Sequence, residues 1–230
     1  MILFYDIFEK AITMFDDPDI RHDYVFNKSA FCGRMREYLL NGLRLFVSPT
    51  IIVDQLVYYS DPVYGSEEIT EEAGDTFVLT ASIPENSVFT YKVNGQLVKG
   101  TYNPETNSVT LIDAITADDT LVVEWCFAGA FTADFSDILR KDISSDAIMG
   151  QILTILAQGI VCMWDEEEMN RALENRNILS DSDFKLHSPA NSVNAKIAHH
   201  KQVLAEMDTL LSQLEWRILS TPRGGSRFGK

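Results

Sequence analysis

The chain has 230 residues, of which 46% are hydrophobic and 23% are charged. This composition excludes an intrinsically disordered chain and allows one large globular domain or two small ones. The formal net charge of −15 argues against non-specific nucleic-acid binding by most of the chain, because phosphate contacts need clusters of lysine and arginine.

The chain begins with two predicted amphipathic helices. Apolar residues recur at helical spacing from Phe4 to Phe15 and predict a first helix of about four turns. A second helix is predicted from about Asn27 to Phe46, ending before Ser48-Pro49, since the residue before a proline is pushed out of the helical region. The acidic cluster between the helices lacks the pattern of an EF-hand calcium loop. We assign the residues of this cluster to helix ends and turns, where short polar side chains bind the backbone. They are Asp16, Asp17, Asp19 and Asp23.

Residues 61–128 change to a two-residue period, which predicts β-strands. Asn94-Gly95 is a strong hairpin signal, because both positions tolerate the positive φ of a type I′ turn. The span contains twelve acidic residues and two lysines, a net charge of −10. Five short strands favour a small antiparallel β-sandwich of immunoglobulin-like type: Phe77–Ile83, Val88–Val93, Gln96–Tyr102, Ser108–Ile112 and Thr120–Phe127.

Helical character returns at about Phe131, with a short helix predicted around Asp134–Lys141. Residues 147–164 then carry no charge, but amides and glycines on several faces favour a helix buried by protein over a membrane span. We expect a second subunit to cover one face of this helix. The expected subunit-interface residues are Ile148, Ile152, Ile155 and Gln158.

The chain closes with a long helix and a basic segment. Near-heptad apolar spacing predicts a helix from about Asn191 to Leu219. Residues 221–230 contain a proline and three glycines, so they are not expected to form a helix or a strand. With three basic residues and no acidic one, the segment is expected either to bind a partner or to fray without contacts. The expected partner-binding residues are Arg223, Arg227, Phe228 and Lys230.

These elements predict an α+β protein in which a helical bundle domain is interrupted by an inserted β-sandwich module. Residues 1–60 and 129–220 would pack together as the helical domain, with residues 61–128 as the insertion and residues 221–230 as a flexible basic tail.

No catalytic constellation, metal site or cofactor site is recognised in the sequence. The adjacent His199 and His200 would point about 100° apart on a helix, which favours a solvent-facing pair. The acidic run Asp165–Glu168 is interpreted as a solvated helix face. The three cysteines, which share no metal-type spacing, are interpreted as reduced packing residues: Cys32, Cys126 and Cys162.

Three stretches of the helical parts form a distinctive pattern: Tyr5–Ile12 leading to Phe15–Pro18, Tyr38–Gly42, and Asp183–Ser192 before the last helix. In these stretches the chain resembles neck proteins of tailed bacteriophages. Head–tail connector (adaptor) proteins of this family form a ring beneath the portal, and an extension at their C-terminus often docks onto the portal. The β module departs from the small helical adaptors.

The resemblance implies a structural virion protein, made in the bacterial host cytoplasm, that is neither an enzyme nor a membrane protein. It implies a homo-oligomeric ring, expected to be a dodecamer, that contacts the portal and a tail or stopper protein. Double-stranded DNA would pass through the ring without specific binding, which an acidic channel favours.

Three alternatives stay open. One is another tail-completion or baseplate subunit. Another is a binding module whose β insertion recognises a glycan or a host surface through exposed aromatic side chains such as Tyr91 and Tyr102. The third is a hydrolase whose triad assembles only in the folded chain.

Overall fold

The computed structural model describes residues 1–14, 16–70, 72–132, 135, 145–180 and 189–220. The protein is 51% helical and 24% strand, which confirms the α+β class. The helices are α1 (Phe4–Ile12), α2 (Pro18–Phe26), α3 (Lys28–Gly42), α4 (Thr50–Val53), α5 (Ser145–Ser180) and α6 (Pro189–Ser220), with a 3-10 turn at Leu43–Leu45.

The strands are short and antiparallel. They are β1 (Ile2–Leu3), β2 (Val63–Ile69), β3 (Gly74–Val78), β4 (Val88–Val93), β5 (Gln96–Val98), β6 (Gly100–Asn103), β7 (Ser108–Ile115), β8 (Leu121–Phe127) and β9 (Ala130–Phe131).

The first helix is confirmed but is shorter than predicted, because it ends at Ile12. A separate helix, α2, follows where the acidic cluster had predicted a break. Asp17 caps α2 by accepting hydrogen bonds from the backbone N–H groups of Asp19 and Ile20, and Trp164 Nε1 donates to the same carboxylate at 2.8 Å. The assignment of Asp17 to helix-end chemistry is therefore confirmed.

Helix α5 is the centre of the helical core. Helices α1, α3 and α6 pack against it, and its apolar residues join theirs in one buried cluster. The predicted burial of this helix by protein is only partly found: 61% of its most apolar window is buried, by helices of the same chain, whereas Met149, Gly150 and Leu153 are half-buried. The predicted short helix around Asp134–Lys141 lies, except for the buried Phe135, outside the described residues.

Two glycines let α3 and α5 approach closely. A Cβ atom on Gly42 would lie 2.8 Å from the carbonyl oxygen of Gly159, whereas a Cβ atom on Gly150 would meet no atom within 4 Å. Both glycines lie in helices, so the helix propensity gained by an alanine is similar at the two positions while the space is not.

We therefore expect Gly42→Ala and Gly150→Ala to change stability in opposite directions. At Gly42 the backbone of Gly159 must move, and overpacking of this kind costs about 1–3 kcal/mol. At Gly150 the better helix propensity of alanine stabilises the protein by up to about 1 kcal/mol. Urea unfolding midpoints measure both effects; two shifts of the same sign would contradict this account.

The β module consists of two antiparallel sheets. The four-stranded sheet has the order β2-β8-β4-β5, and the three-stranded sheet has the order β3-β7-β6. Both sheets contribute to a second buried cluster, separate from the helical one. Strand β2 was not predicted, and the predicted strand at 96–102 is divided into β5 and β6. Asn94 and Gly95 have φ angles of 49° and 79°, which confirms the predicted hairpin turn.

A carboxylate ties the β3–β4 connection to β2. Glu67 accepts hydrogen bonds from the backbone N–H groups of Thr80 and Ala81 and from the Thr80 hydroxyl, at 2.9–3.1 Å. Burial is the largest single influence on Glu67 and raises its pKa, but the hydrogen bonds together outweigh burial and hold the pKa below its usual value.

Because the folded-state pKa of Glu67 is lowered, its contribution to stability is full above the unfolded-state pKa of about 4.3 and is lost as the pH falls through the folded-state value. We expect Glu67→Gln to lower the urea midpoint at pH 7, and the difference from the wild type to shrink below pH 4.3. The exposed neighbour provides a control, since Glu68→Gln should change the midpoint little at either pH. A Glu67→Gln deficit that is constant with pH would contradict the argument.

The two ends of the module lie side by side. Val63, the first residue of β2, is the register partner of Phe127, the last residue of β8. Pairing continues outside the module, where Tyr59 bridges to Phe131. The module is not independent of the helices, however, because Cys126 of β8 is fully buried in the helical cluster.

Candidate interaction surfaces

The residues predicted to form a subunit interface lie inside the chain's own core. Ile148, Ile152 and Ile155 are fully buried, and Gln158 is 4% exposed. The Gln158 amide donates to the backbone oxygen of Val203 on α6 at 3.3 Å. Their assignment to a subunit interface must be corrected, because α1, α3 and α6 already cover the helix and leave these side chains inaccessible to a partner.

The residues predicted to bind a partner through the basic segment lie outside the described residues: Arg223, Arg227, Phe228 and Lys230. The helix that leads to them is described as far as Ser220. Near its end, Trp216 is 74% exposed, so a large aromatic side chain is presented to solvent just before the basic segment.

The two adjacent histidines of α6 bind one carboxylate of α5. The Nδ1 atoms of His199 and His200 each lie 2.9 Å from a different oxygen of Asp165. Asp165 is 6% exposed, and the side chain of His200 is 14% exposed. The prediction of a solvent-facing pair is wrong for His200, because Asp165 lies where both rings can reach it.

The rest of the acidic run is paired rather than merely solvated. Glu166 forms an ion pair with Arg44, Glu167 accepts from the Tyr38 hydroxyl at 2.5 Å, and Glu168 pairs with Lys196 at 3.0 Å. Successive carboxylates therefore reach α6, the 3-10 turn and α3. The interpretation of this run as a solvated face is wrong, since it connects the helices around α5.

This polar cluster does not supply a nucleophile. Cys162 lies one turn before Asp165, but burial raises the pKa of its thiol to about 12, so the reactive thiolate is scarce at neutral pH. All three cysteines are buried and free, as predicted for packing residues. In the described part of the chain, no three side chains of the metal-binding types are grouped to hold an ion.

A groove opens on the β module beside α2, and we call it the β-module groove. It has a volume of about 550 Å³, within the range of roughly 300–1,000 Å³ that ligand sites occupy. The hydroxyl of Thr90 is buried and has no hydrogen-bond partner among the described residues. The residues that line the groove include Val25, Thr90, Leu97, Lys99, Thr110 and Ile112.

The aromatic platform expected for glycan binding is not formed. Tyr91 is 7% exposed and belongs to the core of the β module. Tyr102 is stacked on Phe89 with ring centroids 4.4 Å apart, and its hydroxyl donates to Asn107. The alternative of glycan or host binding through Tyr91 and Tyr102 is therefore not supported, because both rings pack within the module.

One described helix is long and apolar enough to cross a membrane, judged by length and composition alone. It covers residues 147–174 and has a mean hydropathy of 1.7, and 61% of its most apolar window is buried inside the protein. The core helix of a water-soluble protein meets the same criterion, and α5 occupies that position here.

Comparisons with protein-family models, with curated proteins and with solved structures find no match for this chain.

Proposed function

We propose that this protein is a structural ring subunit of a tailed-bacteriophage neck, a head–tail connector that joins the capsid portal to the tail. The observation that carries the proposal is the single core around α5. The two arms that resemble neck proteins lie on either side of the β module in sequence, and the described helices of both arms pack into one hydrophobic cluster. The parts of the chain that resemble neck proteins therefore share one hydrophobic core.

In this proposal the helical domain is a bundle, and the β module is a two-layer sandwich inserted into it. Both ends of the insertion lie together at Val63 and Phe127, so a module can be added there without separating the helices. The module carries a net charge of −10 and contributes much of the chain's acidity. An acidic ring repels DNA phosphates, so DNA slides past without binding.

The partners of the ring are a portal protein on one side and a tail or stopper protein on the other. Assembly cannot use Ile148, Ile152 or Ile155, because these side chains are fully buried within the chain. Trp216 is a candidate anchor for a contact, since buried tryptophans are frequent among the residues that dominate binding energy.

Native mass spectrometry tests this proposal directly. We expect closed rings, either of the protein alone at high concentration or in the presence of a portal protein. Trp216→Ser should weaken assembly without loss of helical circular dichroism, since the side chain is exposed. Exposed Gln213→Ser on the same helix is the matched control. A protein that stays monomeric with portal present would contradict the proposal.

A further inference from the structure

The β-module groove lies beside Lys99, where the chain passes from β5 in the four-stranded sheet to β6 in the three-stranded sheet. Strand β6 pairs with β7 up to Gly100 and Leu111, and one further bond joins Ile112 N–H to the Lys99 oxygen. Beyond that point β5 pairs with β4 instead. The end of β7 is thereby separated from β5, and the groove occupies the space beside them.

The edge of β5 offers backbone hydrogen bonds. The two-residue turn places Val93 and Gln96 in register as its flanking pair, and such a pair exchanges hydrogen bonds. Because hydrogen-bonded and non-bonded pairs alternate along antiparallel strands, the backbone N–H and C=O groups of Leu97 point away from β4. In the described part of the chain no strand pairs with this side of β5.

The chemistry of the groove favours an extended peptide. Leu97 and Ile112 supply apolar walls, and the free edge of β5 can accept a short added strand. An aromatic side chain buries a large apolar area and suits a groove of this size.

The net charge of the β module, rather than of the groove lining, favours a basic peptide. Among the described residues that line the groove, Lys99 is the only charged one. Acidic residues lie outside the lining, among them Asp119 at the turn that begins β5. Over the whole module acidic residues exceed basic ones by ten, so a cationic segment is attracted to it.

We propose that the β-module groove binds residues 221–230 of a neighbouring copy of this chain, with Phe228 in the apolar part of the groove. This inference rests on the proposed ring, which brings copies side by side. Residues 221–230 contain three basic side chains, no acidic one and a single aromatic one. Arg227 and Lys230 flank Phe228 in sequence and carry the charge that an acidic module attracts, and the segment's glycines permit close backbone approach to the edge of β5.

Binding of a labelled synthetic peptide with the sequence of residues 221–230 tests the site. The receptor is the full chain carrying Phe228→Ala, so that its own segment competes weakly. We expect saturable binding that loses at least about tenfold in affinity when the peptide carries Phe228→Ala, as for an interface anchor. Ile112→Lys in the receptor should cause a similar loss, because it places a like charge in the groove.

Val78→Lys is the matched control for Ile112→Lys. The two side chains are 69% and 71% exposed on the same three-stranded sheet, and Val78 does not line the groove. Neither substitution should disturb the fold, which circular dichroism checks. Equal affinity of the two variants for the peptide, or no saturable binding by the parent receptor, would overturn the proposed site.

Photo-cross-linking identifies which copy supplies the segment. Full chains with benzoylphenylalanine in place of Phe228 are mixed with nitrogen-15-labelled wild-type chains and irradiated. We expect cross-links between light and heavy chains that fall within residues 89–112. Cross-links confined to one chain, or located elsewhere, would overturn the inference. Rings without the expected cross-link would contradict the docking site alone, whereas cross-linked copies that never close into rings would contradict the connector function alone.

Discussion

Ile155→Asp is expected to unfold the helical domain. Ile155 of α5 is fully buried in the hydrophobic cluster to which α1, α3 and α6 also contribute. Truncating a buried isoleucine to alanine costs about 2–5 kcal/mol, and an unpaired carboxylate in the same place costs more. The total stability of a domain is about 5–15 kcal/mol, so this one change removes a large fraction of it.

Thermal unfolding followed by circular dichroism at the helical wavelength measures this effect. Ala147→Asp is the control, because it introduces the same carboxylate at an exposed position near the start of α5, where a negative charge is favourable. A folded Ile155→Asp protein that only fails to assemble would show that α5 faces a partner after all. Loss of assembly together with loss of fold carries no information about an interface.

Excision of the β module is the second large change, and here we expect the helical domain to stay folded. Replacing residues 65–125 by Asn-Gly joins Tyr64 to Cys126, which are register partners. A two-residue turn can connect strands at this spacing. The excision keeps Cys126 in the helical cluster and removes the core of the module.

A wider excision tests whether Cys126 belongs to the helical domain. Replacing residues 61–127 by a short Gly/Ser linker also removes Cys126, which is fully buried against the helices. We expect this variant to unfold at a lower temperature than the narrower excision, since its core contains a cavity. If the narrower excision loses the helical signal, the helices depend on the module and the insertion model is wrong.

Local signals in the sequence determined the class of each segment. The apolar stripe from Phe4 to Ala11 identified the buried face of α1, and Asn94-Gly95 identified a hairpin turn through its tolerance of positive φ. These signals depend on neighbours in sequence. For the same reason α2 was missed: the acidic cluster was assigned to helix ends and turns, although Asp17 caps a helix that begins at Pro18.

The tertiary structure alone decided which groups meet. The composition of residues 147–164 predicted an uncharged, buried helix but did not show which residues bury it. The burial of Ile155 was therefore wrongly attributed to a second subunit. Asp165 lies 34 residues from His199, and only the antiparallel packing of α6 on α5 brings them together. The β-module groove likewise exists because the chain changes strand partner at Lys99, from β4 for β5 to β7 for β6, a choice that no local pattern contains. Spacing along the chain reveals which face of an element is apolar, whereas the partner of that face depends on packing between segments distant in sequence.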